Sequence, residues 1–166
     1  MRSFLFVGIV SMIIETLLII LLGDNDKLPI LDYIGAVILP IAAILWIVAA
    51  FTLQRKGKIP VGKSYMCTTV VVHSGIYGVI RHPQFLAFIL YSTGFIFISQ
   101  IWLVGFFGVS SVVFIYLGIK EQEHYLIKKF GENYERYMKK VPRINIFLGL
   151  IRIFQNKRKY VWFFLF

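Results

Sequence analysis

Four apolar runs separated by short polar segments constrain this chain more than any other feature. They are Ser3 to Leu22, Leu31 to Leu53, Gln84 to Ile98 and Ile101 to Leu117. A helix that crosses a bilayer needs roughly 20 apolar residues, with about 17 near the lower limit. The first two runs pass easily. The third must borrow length from Arg81–Pro83 or from Ser99 and Gln100. Only Ser99 and Gln100 part it from the fourth, which predicts a tight helical hairpin. The first run starts behind Arg2, as a signal peptide would. Its core is too long for one, and LLGDNDK lacks a small-x-small cleavage pattern, so a retained helix is expected.

Mean hydropathy is +0.77 and 16% of residues are charged, which points to lipid as the solvent for much of the surface. A net charge of +10 would suit nucleic acid, but the placement of the charges argues for a membrane instead. The first connection, GDNDKLPILD, holds Lys27 with three aspartates, and the Ser99–Gln100 turn holds no charge. Every other Lys and Arg falls at the opposite ends of the runs. The positive-inside rule then gives four crossings with both termini cytoplasmic. The fold class expected is an all-α integral membrane protein in one domain. Its membrane helices lie at about 3–22, 31–53, 83–99 and 101–118, followed by a cytoplasmic amphipathic helix at about 120–141. The partner is the lipid bilayer, and nucleic acid is excluded.

Gln54 to Pro83 carries turn signals at Gly57, Pro60–Gly62 and Ser74–Gly75, with a β-branched run at Thr68–Val72 suited to a short extended segment. Pro40 is expected to kink the second helix, and Glu15 to face the bundle. The tail, 144–166, ends in basic residues and YVWFFLF, a composition suited to the headgroup zone. Cys67 has no partner for a disulfide, and His73, His82 and His124 lack ligand spacing, so no metal is expected.

The chemistry concentrates in two places. GIYGVIRHPQF sets Arg81, His82 and Pro83 at the mouth of the third run. Beyond the fourth, Glu123, Ile127, Phe130, Tyr134, Tyr137 and Val141 are spaced four, three, four, three and four apart, which makes one helix face headed by a carboxylate. A carboxylate on such a face needs a cationic partner or several donors. The hairpin brings Arg81–His82 and Glu123 to the same membrane face. The result expected is a pocket of both charge signs at headgroup level, suited to a zwitterionic ligand. The bland alternative is an interfacial ion pair that only positions two helices.

VVVHSGIYGVIRHPQF followed by EQEHYLIKKFGENYERYMKKVPR resembles the isoprenylcysteine carboxyl methyltransferase family, small membrane enzymes related to the phospholipid methyltransferases. The resemblance covers about Thr69 to Arg143. It implies S-adenosylmethionine as methyl donor, held under loops at the cytoplasmic face. Carried over by position, Val71, Val72, Tyr77, His82, Pro83, Gln84 and Phe85 would line the donor site. Gln122 and Glu123, at a Glu-Glu position of the family, would meet the donor's amino-acid end. Arg81, His82 and Glu123 are the residues expected to carry catalysis. Four positions depart: Phe85 and Ala87 mildly, Gln122 by adding no charge, and Gly118 by standing where carboxyl methyltransferases of the family carry an arginine for the substrate carboxylate.

The reading is a membrane-embedded methyltransferase acting on a lipid or lipidated acceptor, isoprenylcysteine-like or phospholipid-like. The alternative is a non-catalytic four-helix membrane scaffold with a degraded donor site. A nicotinamide-dependent lipid reductase ranks last, since no phosphate-binding glycine motif is present.

Overall fold

The computed structural model describes residues 3–22 and 28–165, with side chains as far as Gln155. Arg2, most of the first connection with Lys27, and the aromatic tail's side chains lie outside the described residues. The described chain is helical and contains no strand, so Thr68–Val72 runs as irregular coil rather than a paired segment. Among the described residues seven helices follow in order: α1 Ser3–Leu22, α2 Pro29–Lys56, α3 Ile76–Val79, α4 Pro83–Ser99, α5 Trp102–Phe130, α6 Glu132–Lys140 and α7 Ile146–Leu165.

Three helices, α1, α2 and α5, are long and apolar enough to cross a membrane. The 17-residue α4 is as apolar but shorter, and packs between α2 and α5, while α1 packs on the other flank of α5. Close approach depends on missing side chains. A Cβ on Gly35 would lie 2.6 Å from the Gly94 carbonyl oxygen, and one on Gly118 would lie 3.1–3.2 Å from the backbone of Leu5. Small residues of this kind let membrane helices approach backbone to backbone. Gly118 is therefore one of the places where α1 rests on α5, as Gly8 against Ile115 is another.

The α4–α5 hairpin closes at Gln100, which takes a left-handed conformation (φ 53°). Its side chain accepts a hydrogen bond from Leu28 N at 2.8 Å and donates one to Leu28 O at 3.0 Å. The turn thereby stitches the start of α2 to the hairpin. Pro40 does not interrupt α2. Glu15 is fully buried, and its carboxylate fits because Gly108 opposite has no Cβ.

The boundary expected near residues 118–120 is not observed. Nothing between Leu117 and Gln122 breaks a helix, and α5 runs on for 29 residues. At about 1.5 Å per residue that is about 43 Å, well beyond the about 30 Å of a hydrocarbon core. Its length therefore exceeds what a crossing needs, and its last turns carry Glu123. The break comes instead at Gly131, whose φ of 56° with ψ of −138° suits glycine and turns the chain into the separate helix α6.

Candidate active site

Pro83 occupies the first turn of α4, where its missing N–H costs nothing and its fixed φ favours a helix start. It also keeps His82 out of helical conformation. His82 takes φ −125°, ψ 60°, and its imidazole turns inward, 4% exposed. The two residues at this mouth pair with the segment after α6: Arg81 N donates to Pro142 O at 2.9 Å and His82 N to Arg143 O at 3.1 Å. This backbone pairing carries Arg143 to the same point.

Glu123, buried at 4%, joins the three cationic or imidazole groups gathered there. Its Oε1 lies 3.2 Å from Arg81 Nη2 and 3.3 Å from His82 Nε2. Arg143 reaches both oxygens, Nε to Oε1 at 3.2 Å and Nη2 to Oε2 at 2.6 Å, a forked pairing that holds the carboxylate in one plane. The Tyr134 hydroxyl is 3.5 Å from His82 Nε2, and Phe85 packs edge-on against the imidazole ring. Burial pushes the His82 pKa below its ordinary value, against the pull of Glu123, so the ring is neutral at physiological pH. Burial likewise raises the pKa of Tyr134, Tyr137 and Tyr77, which stay protonated.

Above this cluster lies a cavity of about 370 Å³. Val71, Val72, Tyr77, Arg81, His82, Gln84, Phe85 and Gln122 all line it. Pro83 and Glu123 do not: Pro83 supports the helix mouth, and Glu123 stands behind the wall with both oxygens engaged. The sequence reading did not single out Arg143 for this cluster. It gave Tyr134 and Tyr137 only as members of a helix face, and they prove to be walls of the cavity, with Phe130, Tyr125 and Lys129. The Tyr137 hydroxyl donates to the carbonyl of Tyr77 at 2.6 Å, tying α6 to α3. Lys129 Nζ donates to Thr68 O at 2.7 Å, tying the coil over the cavity to α5.

Several polar atoms buried at this wall have no hydrogen-bond partner among the described residues. They are Arg81 Nε and Nη1, Gln84 Nε2 and Gln122 Oε1. Buried polar groups are nearly always paired, so three unmatched donors and an unmatched acceptor on residues that line one cavity are an unusual set. The set is complementary to an α-amino acid, with donors for its carboxylate and an acceptor for its ammonium. The residues present therefore fit the amino-acid end of S-adenosylmethionine.

A family model described as protein of unknown function (DUF1295) matches residues 2–141. The chain belongs to the DUF1295 family. Curated relatives relate this member to isoprenylcysteine methyltransferases. It is 35% identical over 80 residues to a protein-S-isoprenylcysteine O-methyltransferase of Schizosaccharomyces pombe, covering 44% of this chain and 31% of the relative. It is 39% identical over 74 residues to that of Xenopus laevis, covering 43% and 25%. It is 38% identical over 74 residues to that of Dictyostelium discoideum, covering 43% and 31%. The matched part spans less than a third of the length of these relatives. No solved structure gives a significant match.

Proposed function

We propose that this DUF1295 member is a four-crossing membrane methyltransferase that uses S-adenosylmethionine and acts on a lipidated acceptor at the cytoplasmic face. The observation that carries the reading is the set of unpartnered atoms on Arg81, Gln84 and Gln122 around the cavity. Arg81 and Gln84 would take the donor's carboxylate, and Gln122 its ammonium. The aromatic walls Tyr77, Phe130, Tyr134 and Tyr137 suit a sulfonium cation. The donor supplies an electrophilic methyl group, so the protein's task is to align an acceptor and exclude water.

Part of the cavity lining is apolar: Leu5 and Ile9 of α1, Leu53 of α2, Phe85 and Phe88 of α4. Phe88 also lines an apolar groove between α1, α2 and α4, formed with Met12, Leu39, Pro40 and Trp46. An acceptor's hydrocarbon chain would lie on this side, which supports a lipidated acceptor over a soluble one. A carboxylate or thiolate acceptor needs no base. Neutral His82, at the cavity wall, serves an acceptor that must first lose a proton. The relatives' names point to isoprenylcysteine. With Gly118 seated against Leu5, no arginine at that position holds the acceptor's charged end.

Calorimetry of the detergent-solubilised chain with S-adenosylhomocysteine tests the reading. One specific site is expected, weakened about tenfold by Arg81→Ala and severalfold by Gln122→Leu, in line with hydrogen bonds to charged groups. Absence of binding, or equal binding by both variants, overturns it. Labelled S-adenosylmethionine supplied to membranes should then transfer label to an extractable lipidated fraction.

A further inference from the structure

A second cavity, of about 570 Å³, lies outside the site described above. It opens between α6, the start of α7 and the coil at residues 69–73. Its polar lining is Thr69, His73, Asn133, Arg136, Tyr137, Lys140 and Arg152, and among the described residues no carboxylate lines it. Arg136 faces one acid, Glu132, at the surface 3.8 Å away.

Arg152 organises the cleft. Its guanidinium donates to the carbonyl oxygens of Lys140, at the end of α6, and Gly78, in α3. Its Nε is buried and has no partner among the described residues. Gly149, one turn earlier on the same face, lies so close to α3 that a Cβ would overlap the Val79 carbonyl oxygen. α7 is thus docked by its Gly149–Arg152 face. Asn145 Oδ1 accepts from Leu148 N at 3.0 Å and fixes where the helix begins. The other face presents Phe147, Leu148, Ile151 and Phe154, all exposed. α7 therefore carries an uncovered apolar face beside a cationic cleft, the two halves of an anionic lipid: a hydrocarbon surface and a place for a phosphate.

We propose that the α6–α7 cleft seats the phosphate of an anionic phospholipid, bound by Arg136 and Lys140 with the positive charge of Arg152 at its wall, while its acyl chains cover the apolar face of α7. The site is independent of the reaction catalysed. Its position gives it influence all the same, because Val70, Val71, Phe130 and Tyr137 line both this cleft and the cavity beside His82. A lipid held there would brace the far side of that wall.

The test uses the full chain in detergent, with lipid bound from mixed micelles and counted by native mass spectrometry. Phosphatidylglycerol should bind at one saturable site at least about tenfold more tightly than phosphatidylcholine, as a few surface cations allow. The pair Arg136→Gln with Lys140→Gln, both outside the packed core, should abolish that preference. The pair Lys120→Gln with Lys128→Gln removes the same charge away from the cleft and should leave it intact. Equal binding of the two lipids overturns the proposal, as does an equal loss in both pairs, which would reveal bulk attraction only. Inorganic phosphate at millimolar concentration should not displace the lipid. Displacement by phosphate would make the cleft a free-anion site and overturn the lipid as its occupant.

Discussion

Arg143 Nη2 lies 2.6 Å from Glu123 Oε2, although nineteen residues and a helix break separate the two in sequence. The contact closes a loop. α5 delivers Glu123, the end of α6 returns the chain, and Arg143 meets the carboxylate that already holds Arg81 and His82. The same segment hydrogen-bonds the backbone of Arg81 and His82. One buried acid therefore sets the geometry of the helix mouth, and its first task is to hold Arg81 and His82 in place at the cavity wall.

Removing that acid should be costly. Glu123→Ala leaves Arg81 and His82 buried beside an empty space, and breaking a buried pair from one side typically costs about 3–5 kcal/mol. Glu123→Gln keeps the shape and should cost less. Arg143, a third exposed, can hydrate when unpaired, so Arg143→Ala should fall below Glu123→Ala in effect. Melting in detergent, followed by tryptophan fluorescence, gives the order. If Glu123→Ala melts like the native protein, the acid does not hold Arg81 and His82 in place.

The pH dependence follows from His82. Burial holds its folded-state pKa below the ordinary value of about 6.5. The unfolded chain therefore binds the proton first, and stability rises with pH across the interval between the two pKa values. The contribution is fully present above about pH 6.5 and declines as pH falls below it. Melting temperatures between pH 8 and pH 5 should drop on acidification, and His82→Gln should flatten part of that drop. An unchanged profile in the variant would assign the acid sensitivity elsewhere.

Local features were legible where a single residue dictates the backbone. Pro83 announces the start of α4, and the four-three spacing from Glu123 to Val141 announces the face that Tyr134, Tyr137 and Val141 bury. Gly131 reads in the sequence as a weak point in the middle of that helix, but the spacing did not reveal that the face is split. Periodicity carries across one glycine, whereas a positive φ at Gly131 is a tertiary outcome. Arg143 left no pattern, because its place depends on backbone pairing between residues about sixty apart. The one available signal was chemical: a buried carboxylate needs more cation than a single arginine shared with a neutral histidine. That Gln84 and Gln122 line one cavity was not legible in their spacing, because the two lie on different helices.

Gly118 should resist enlargement. A Cβ there sits at 3.1–3.2 Å from Leu5 backbone atoms, which cannot swing aside as a side chain can. Gly118→Ala should destabilise by about 1–3 kcal/mol, the usual range for overpacking. Gly118→Arg should lower the yield of folded protein rather than create a handle for an acceptor carboxylate. Gly105 on the same helix has open space around it, so Gly105→Ala is the matched control and should be neutral or slightly stabilising. Parallel melts of the three variants decide whether the α1–α5 contact is as tight as described.

Gly131 separates conformation from packing. Nothing lies within 4 Å of a Cβ placed on it, so Gly131→Ala meets no clash. The obstacle is the backbone, because φ 56° with ψ −138° is a conformation that side-chain-bearing residues hold only at about 1–3 kcal/mol. An alanine relieves that strain by drawing α5 and α6 toward one continuous helix. Tyr134 and Tyr137 would then leave the wall they share with His82 and Tyr77. The variant should therefore lose affinity for S-adenosylhomocysteine by at least about tenfold, matching the about 1.4 kcal/mol that each factor of ten represents. Its helical content by circular dichroism should hold or rise. Loss of affinity together with loss of helix would indicate general unfolding. Unchanged affinity would show that α6 keeps its place without the glycine, and that the break at 131 does not set the cavity.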